Sequence, residues 1–204
     1  MAFEFKIKLE GSSNPPIWRK VKLSSKSSFH EFHIVIQAAF GWGNCHLYQF
    51  CPKGWGSYPV IGEKMEDPFD DHEYLTIEDW PNGECFDSMS ITLKDYFHTP
   101  KQQIIYIYDF GDDWRHKIEL AAITGEDTIV PVCTGGKGKC PPEDCGAIWG
   151  YYALVETVNN PKYPDHKQMR EWLDMEKGEK WDVNEFDLQK INEKISDEWE
   201  YREG

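Results

Sequence analysis

No long apolar run occurs in the 204 residues, so nothing here approaches the roughly 20 consecutive apolar residues of a transmembrane helix. Positive charge is scarce: 22 Lys and Arg stand against 36 Asp and Glu, a net charge of −14. A surface of that average sign repels phosphate, whereas a general nucleic-acid binder is expected to be basic. The chain has no GxxxxGK[ST] phosphate loop and no internal repeat. Its opening, MAFEFKIKLEG, alternates in polarity instead of placing a basic stretch before an apolar core, so it reads as a strand and not as a secretory signal. These absences predict a cytoplasmic protein. Its six cysteines (Cys45, Cys51, Cys85, Cys133, Cys140, Cys145) are then expected to be thiols or metal ligands, not a disulfide framework.

What is present is strongly patterned. FEFKIKLE sets Phe3, Phe5, Ile7 and Leu9 on one face and charges on the other, the period of two of a half-buried strand. After the turn GSSNPP, residues 17–23 read as its antiparallel return. SFHEFHIVIQAAFGW predicts a helix, with Ser28 and Glu31 as a capping box, Gly41 as the stop, and Phe29, Phe32, Ile36 and Phe40 facing the sheet. Residues 46–52 alternate again as a third strand. Residues 53–103 are rich in Gly, Pro and acids and predict a loop-rich, insertion-like segment with one short helix or strand. Within it, residues 63–87 carry ten acids against the single Lys64. A hairpin follows over 104–123, then a Gly/Pro/Cys-rich connector over 131–150. The helical tail (146–204) comes last, with helices over GYYALVETVNN, PDHKQMREWLDM and DVNEFDLQKINEKI. The expected fold is α+β, a mainly antiparallel sheet (α/β-roll-like) with helices packed on it, and a single domain over 1–204.

Two segments hold the candidate chemistry. The hairpin IIYIYDFGDDWRHKIEL spells DFG, yet nothing else that a kinase needs accompanies it, and its acids are not spaced as in a calcium loop. A turn explains it: Asp side chains bond to nearby amides, and Trp114 and Ile118 pack back on the sheet. Beside that reading stands a functional one, in which Asp112, Asp113 and His116 point into a shared cleft, with Trp114 and His116 on one strand face. The connector CTGGKGKCPPEDC spaces its cysteines as C-x6-C-x4-C, unlike a zinc ribbon. Three thiolates from Cys133, Cys140 and Cys145 would need a fourth ligand, such as His166, Asp144 or His116, to close a zinc site. Buried apolar thiols and a redox pair beside Lys137 and Lys139 are the alternatives. Glu143 and Asp144 stand just before a predicted helix, where carboxylates cap free amides and complement the macrodipole.

Taken in order, YDFGDDWRHKIEL, PVCTGGKGKCPPEDCG and GYYALVETVNNPKYPDHKQMREWL resemble the plasmid pRiA ORF-three-like family, and LEGSSNPPIWRKVKL and SFHEFHIVIQAAFGWGNCHLYQF are similar to that family's opening. The resemblance spans nearly the whole chain. Departures occur at Gly146-Ala147, where a double glycine is common, at Lys117 after the hairpin His, and at Tyr48 in place of a second His. The third connector cysteine, Cys145, is often lacking in members. The family implies a soluble α+β protein without an established activity, found on plasmids, near insertion elements and in ordinary chromosomes.

The sequence therefore favours a non-enzymatic binding or accessory module, its pocket formed by Asp109, Asp112, Asp113, Trp114, His116, Glu143 and Asp144. A protein surface or a small cationic ligand suits this acidic rim better than nucleic acid does. Two alternatives stand beside it: a metal-assisted hydrolase or zinc-stabilised domain, and nucleic-acid contact through a basic N-terminal hairpin of Arg19, Lys20, Lys22 and Lys26.

Overall fold

The computed structural model describes residues 1–63 and 85–201. The short apolar piece at 74–80 and Lys64 lie outside them. Strands β1 (Ala2–Leu9), β2 (Trp18–Ser24), β3 (Tyr48–Cys51), β4 (Val60–Gly62), β5 (Cys85–Asp87), β6 (Gln103–Tyr108), β7 (Trp114–Thr124) and β8 (Val132–Lys137) form one sheet. Its order is β5-β4-β3-β6-β7-β1-β2-β8, antiparallel throughout except for the β4–β5 pair. The helices are α1 (Phe29–Phe40), α2 (Leu93–Tyr96), α3 (Ala147–Asn159), α4 (His166–Trp172) and α5 (Leu188–Tyr201). The α+β class and the mainly antiparallel sheet agree with the sequence reading.

The period of two in β1 places Phe3, Phe5, Ile7 and Leu9 in the core and leaves Lys6 and Lys8 exposed. Helix α1 lies over this face. Its capping box forms as read: Ser28 Oγ accepts from the Glu31 amide at 3.1 Å, and the Glu31 carboxylate accepts from the Ser28 amide at 2.9 Å. Gly41 ends the helix at φ 85°, where its amide reaches the carbonyls of Gln37 and Ala38. Val35, Ala38 and Ala39 are buried as well as the sheet-facing residues, because α5 packs against α1. Aromatic rings fill the layer between, with Phe5 against Phe32 at 4.6 Å and Phe29 against Phe50 at 4.9 Å.

A polar network crosses this apolar layer. His33 Nε2 meets Asn44 Oδ1 at 2.6 Å, and an amide oxygen only accepts, so this nitrogen carries the proton. The Tyr106 hydroxyl then donates to His33 Nδ1 at 2.8 Å and accepts from Gln37 Nε2 at 2.9 Å, while Gln37 Oε1 takes the Asn44 amide. With each group satisfied, burial holds His33 neutral and lowers its pKa to about 3.

Three expectations change. Within the connector over 131–150, residues 132–137 form β8, an edge strand paired with β2. Its two glycines disguise it: a Cβ on Gly136 would lie 2.3 Å from the Phe186 ring and 2.9 Å from the Trp18 carbonyl, so only glycine admits the ring that covers the strand. The last helix starts at Leu188, not at Asp182, because the Asp182 carboxylate turns the chain onto the Asn184 amide and Asp187 takes the Lys190 amide at 3.0 Å. Arg19 leaves the basic hairpin altogether. It is 3 % exposed and donates to the carbonyls of Ala39, Trp18, Lys137 and Gly138, all at 2.9 Å. Its charge sits where α1 ends, a helix with no basic residue in its last turn. Of the others, Lys20 pairs with Glu4 at 3.4 Å, Lys22 is half-buried and Lys26 is exposed. In the segment over 53–103, the described residues hold two three-residue strands and a four-residue helix.

Candidate functional site

Strand β6 ends at Tyr108, and the chain turns over Asp109–Asp113 into β7. Asp109 makes the turn. Its Oδ1 accepts from the amides of Gly111 and Asp112 at 3.0 and 3.3 Å, and its carbonyl takes the Asp113 amide at 2.7 Å. Asp109 and Asp113 hold φ of 54° and 55°, and Asp144 in the PPED loop holds 57°, a region that Asp tolerates better than most residues.

Three segments converge here. The Tyr108 hydroxyl donates to Glu143 and accepts from the Cys45 amide. Glu143 also takes the Gly43 amide at 2.9 Å. The Asp112 carboxylate takes the Gly146 amide at 3.1 Å. The hairpin turn, the PPED loop and the loop after α1 are thereby stitched together. Loss of solvent around the hydroxyl, reinforced by Glu143, raises the Tyr108 pKa and keeps it a proton donor.

The junction encloses a group that sequence reasoning missed. His46, from the loop after α1, points Nε2 at Asp109 Oδ2 (3.8 Å) and Asp144 Oδ1 (3.4 Å). Among the described residues this is the one set of three His, Cys, Asp or Glu residues whose ligand atoms all lie within 4.8 Å of one another. Nε2 is shielded from solvent and has no hydrogen-bond partner. Both separations are long for an N–H···O hydrogen bond. They are close to the edge of a ligand tetrahedron, about 3.3 Å for bonds of 2.0–2.1 Å to zinc. One imidazole and two carboxylates suit a divalent ion such as zinc or manganese, with room left for water or a further ligand. No spacing rule in the sequence links His46 to residues more than sixty positions away; only the fold does.

The other predicted pocket residues divide. Asp109, Asp112, Glu143 and Asp144 gather at this junction. Asp113 turns away, bonded by Arg115 Nε at 2.9 Å and by the Trp55 indole at 2.8 Å. Trp114 and His116 share a face as expected, but that face is the core and not a cleft. His116 is fully buried between Phe40 and Trp42, with Nδ1 bonded to the Trp114 carbonyl at 3.1 Å, and burial lowers its pKa to about 3. Nor do Glu143 and Asp144 cap α3. Gly146 is its N-cap, and the carboxylate at that end is Asp112 from the other loop.

Cys133, Cys140, Cys145 and His166 do not form a ligand set. Cys133 faces the core from β8, and its thiol donates to the Gly135 carbonyl at 3.4 Å. Among the described residues, no set of three ligand atoms within 4.8 Å of one another includes any of these four, and burial raises the thiols of Cys133 and Cys140 and pushes Cys145 up to about 12, which disfavours a thiolate redox pair. His166 is tied to the Thr157 carbonyl at 2.8 Å.

Among the described residues no helix is long and apolar enough to cross a membrane. Compared with solved structures, the chain matches a protein of unknown function, MM3350, from Methanosarcina mazei Go1. The TM-score is 0.71 and the identity 28%, over 93% of this chain and 95% of that one. The uncharacterized protein y4hQ of Sinorhizobium fredii is 28% identical over 186 residues, 91% of this chain and 88% of its own. The family model described as plasmid pRiA4b ORF-3-like protein matches residues 1–190, and the chain belongs to that family.

Proposed function

We propose that the protein is a binding module whose ligand is cationic, and that a divalent metal ion is held by His46, Asp109 and Asp144. The observation that carries this reading is the solvent-shielded His46 Nε2, without a hydrogen bond and 3.4 and 3.8 Å from two carboxylate oxygens. It refines the expectation of an acidic pocket that takes a small cation, and moves the metal from the cysteine loop to this junction. The reading stops at binding, since the two further carboxylates of the junction are engaged, Glu143 by Tyr108 and the Gly43 amide and Asp112 by the Gly146 amide, and neither is free as a base. A cation also suits a chain of net charge −14 better than a nucleic acid does, more so with Arg19 withdrawn from the basic hairpin. A chain whose six cysteines form no disulfide framework suits a cytosolic setting.

The test is calorimetric titration of chelator-treated protein with zinc and manganese. One saturable site is expected. His46→Ala and Asp109→Asn should each weaken it by about tenfold or more, while Cys133→Ser leaves it unchanged. Absence of a saturable site, or equal affinity in the His46→Ala variant, would sink the reading.

A further inference from the structure

A separate cavity of about 450 Å³ lies between α3 and α4 and reaches the PPED loop at Asp144. Its volume falls in the range of small-molecule sites, about 300–1,000 Å³. Leu154 of α3 and Met169 and Trp172 of α4 supply apolar wall, with Cys145 beside them. Trp172 is 47% exposed, so a large indole remains open at the cavity. The charged lining is of one sign. Asp144 and Asp165 contribute carboxylates, and among the described residues no Lys, Arg or His lines the cavity. Asp165 stands at the N-cap position of α4 and yet makes no side-chain cap bond, so its carboxylate is not consumed by the helix.

An open groove with an apolar wall, an exposed indole and two exposed carboxylates discriminates by charge. A neutral apolar molecule would gain from the wall alone. An anion would face both carboxylates at close range with no compensating cation. A cation with an apolar body gains from the wall, from the carboxylates and from the neighbouring indole together. We propose that this cavity binds a small organic ammonium, an aralkyl amine being the matching class. The site shares Asp144 with the metal reading and otherwise stands apart from it.

The test uses the full chain and three probes of one shape: 2-phenylethylammonium, neutral 2-phenylethanol and anionic 3-phenylpropanoate. Amide NMR titrations should show saturable binding of the ammonium, with shifts confined to α3, α4 and the PPED loop. The alcohol should bind about tenfold more weakly and the carboxylate not measurably. Asp165→Asn should weaken the ammonium severalfold and leave the alcohol unchanged, a split that a general loss of folding could not produce. The His46→Ala variant, treated with chelator, should bind the ammonium like the parent chain, which separates this cavity from the metal site. Equal affinity for ammonium and alcohol, no saturable binding in the millimolar range, or shifts located elsewhere would each overturn the proposal.

Discussion

Arg19 shows how far a single side chain departs from its sequence label. In IWRKVKL it reads as one cation in a basic strand, but its guanidinium closes four carbonyls from three segments and lies 5.2 and 5.1 Å from the Phe40 and Phe186 rings. The planar fork is needed for this, because a lysine ammonium cannot reach four divergent acceptors. Arg19→Ala should therefore cost about 3 kcal/mol or more in urea denaturation, since buried acceptors lose their donors. Arg19→Lys should recover less than half of that. His46 carries the opposite lesson. It looks like an ordinary loop residue, and its chemistry becomes visible only when folding places Asp109 and Asp144 beside it. Asp109 and Asp144 themselves were legible as site candidates, because acids in turns are conspicuous; their histidine was not.

Among the elements, those with their own punctuation were readable and those defined by a partner were not. Helix α1 announces itself through Ser28, Glu31 and Gly41, and β1 through its alternation. Strand β8 has neither device. In VCTGGK the glycine pair cuts the strand signal short after Val132 and Thr134, and its identity comes from the β2 ladder beside it and from the Phe186 ring over Gly136. A pair of alanine substitutions tests this account. Gly136→Ala should destabilise by roughly 1–3 kcal/mol, because the added methyl meets both a ring and a fixed carbonyl. Gly135→Ala next to it, with nothing within 4 Å of its added Cβ, should change denaturation by less than about 0.5 kcal/mol. Equal costs at the two positions would argue against Phe186 as the reason for the glycine. The start of α5 depends on local bonds that periodicity does not show: Asp182 holds the Asn184 amide in a turn, and the helix begins only past Asp187, which takes the Lys190 amide.

For the molecule as a whole, two imidazoles buried among the described residues set a pH dependence. His33 and His116 both titrate near 3 in the folded chain and at about 6.5 when unfolded. Between those values the unfolded state binds more protons, so stability rises with pH through that window. The stability is fully present above about 6.5 and lost as pH falls toward 3. Denaturation midpoints should drop steadily from pH 7 to pH 4, and His116→Leu should make that fall shallower. A flat profile, or one that is unchanged in the variant, would mean that the imidazoles are not held neutral by the fold.

The sheet order has a consequence for synthesis. Strand β1 pairs with β2 on one side and with β7 on the other, so Ala2 lies opposite both Ser24 and Thr124. During synthesis β1 can form a hairpin with β2 early, but its second edge stays open until β7 has been translated. An unpaired strand edge of this kind invites pairing with another chain while it waits. Chain termini usually tolerate trimming. Here, loss of the first nine residues would leave β2 and β8 with no strand joining them to the half of the sheet that carries the metal-site candidates.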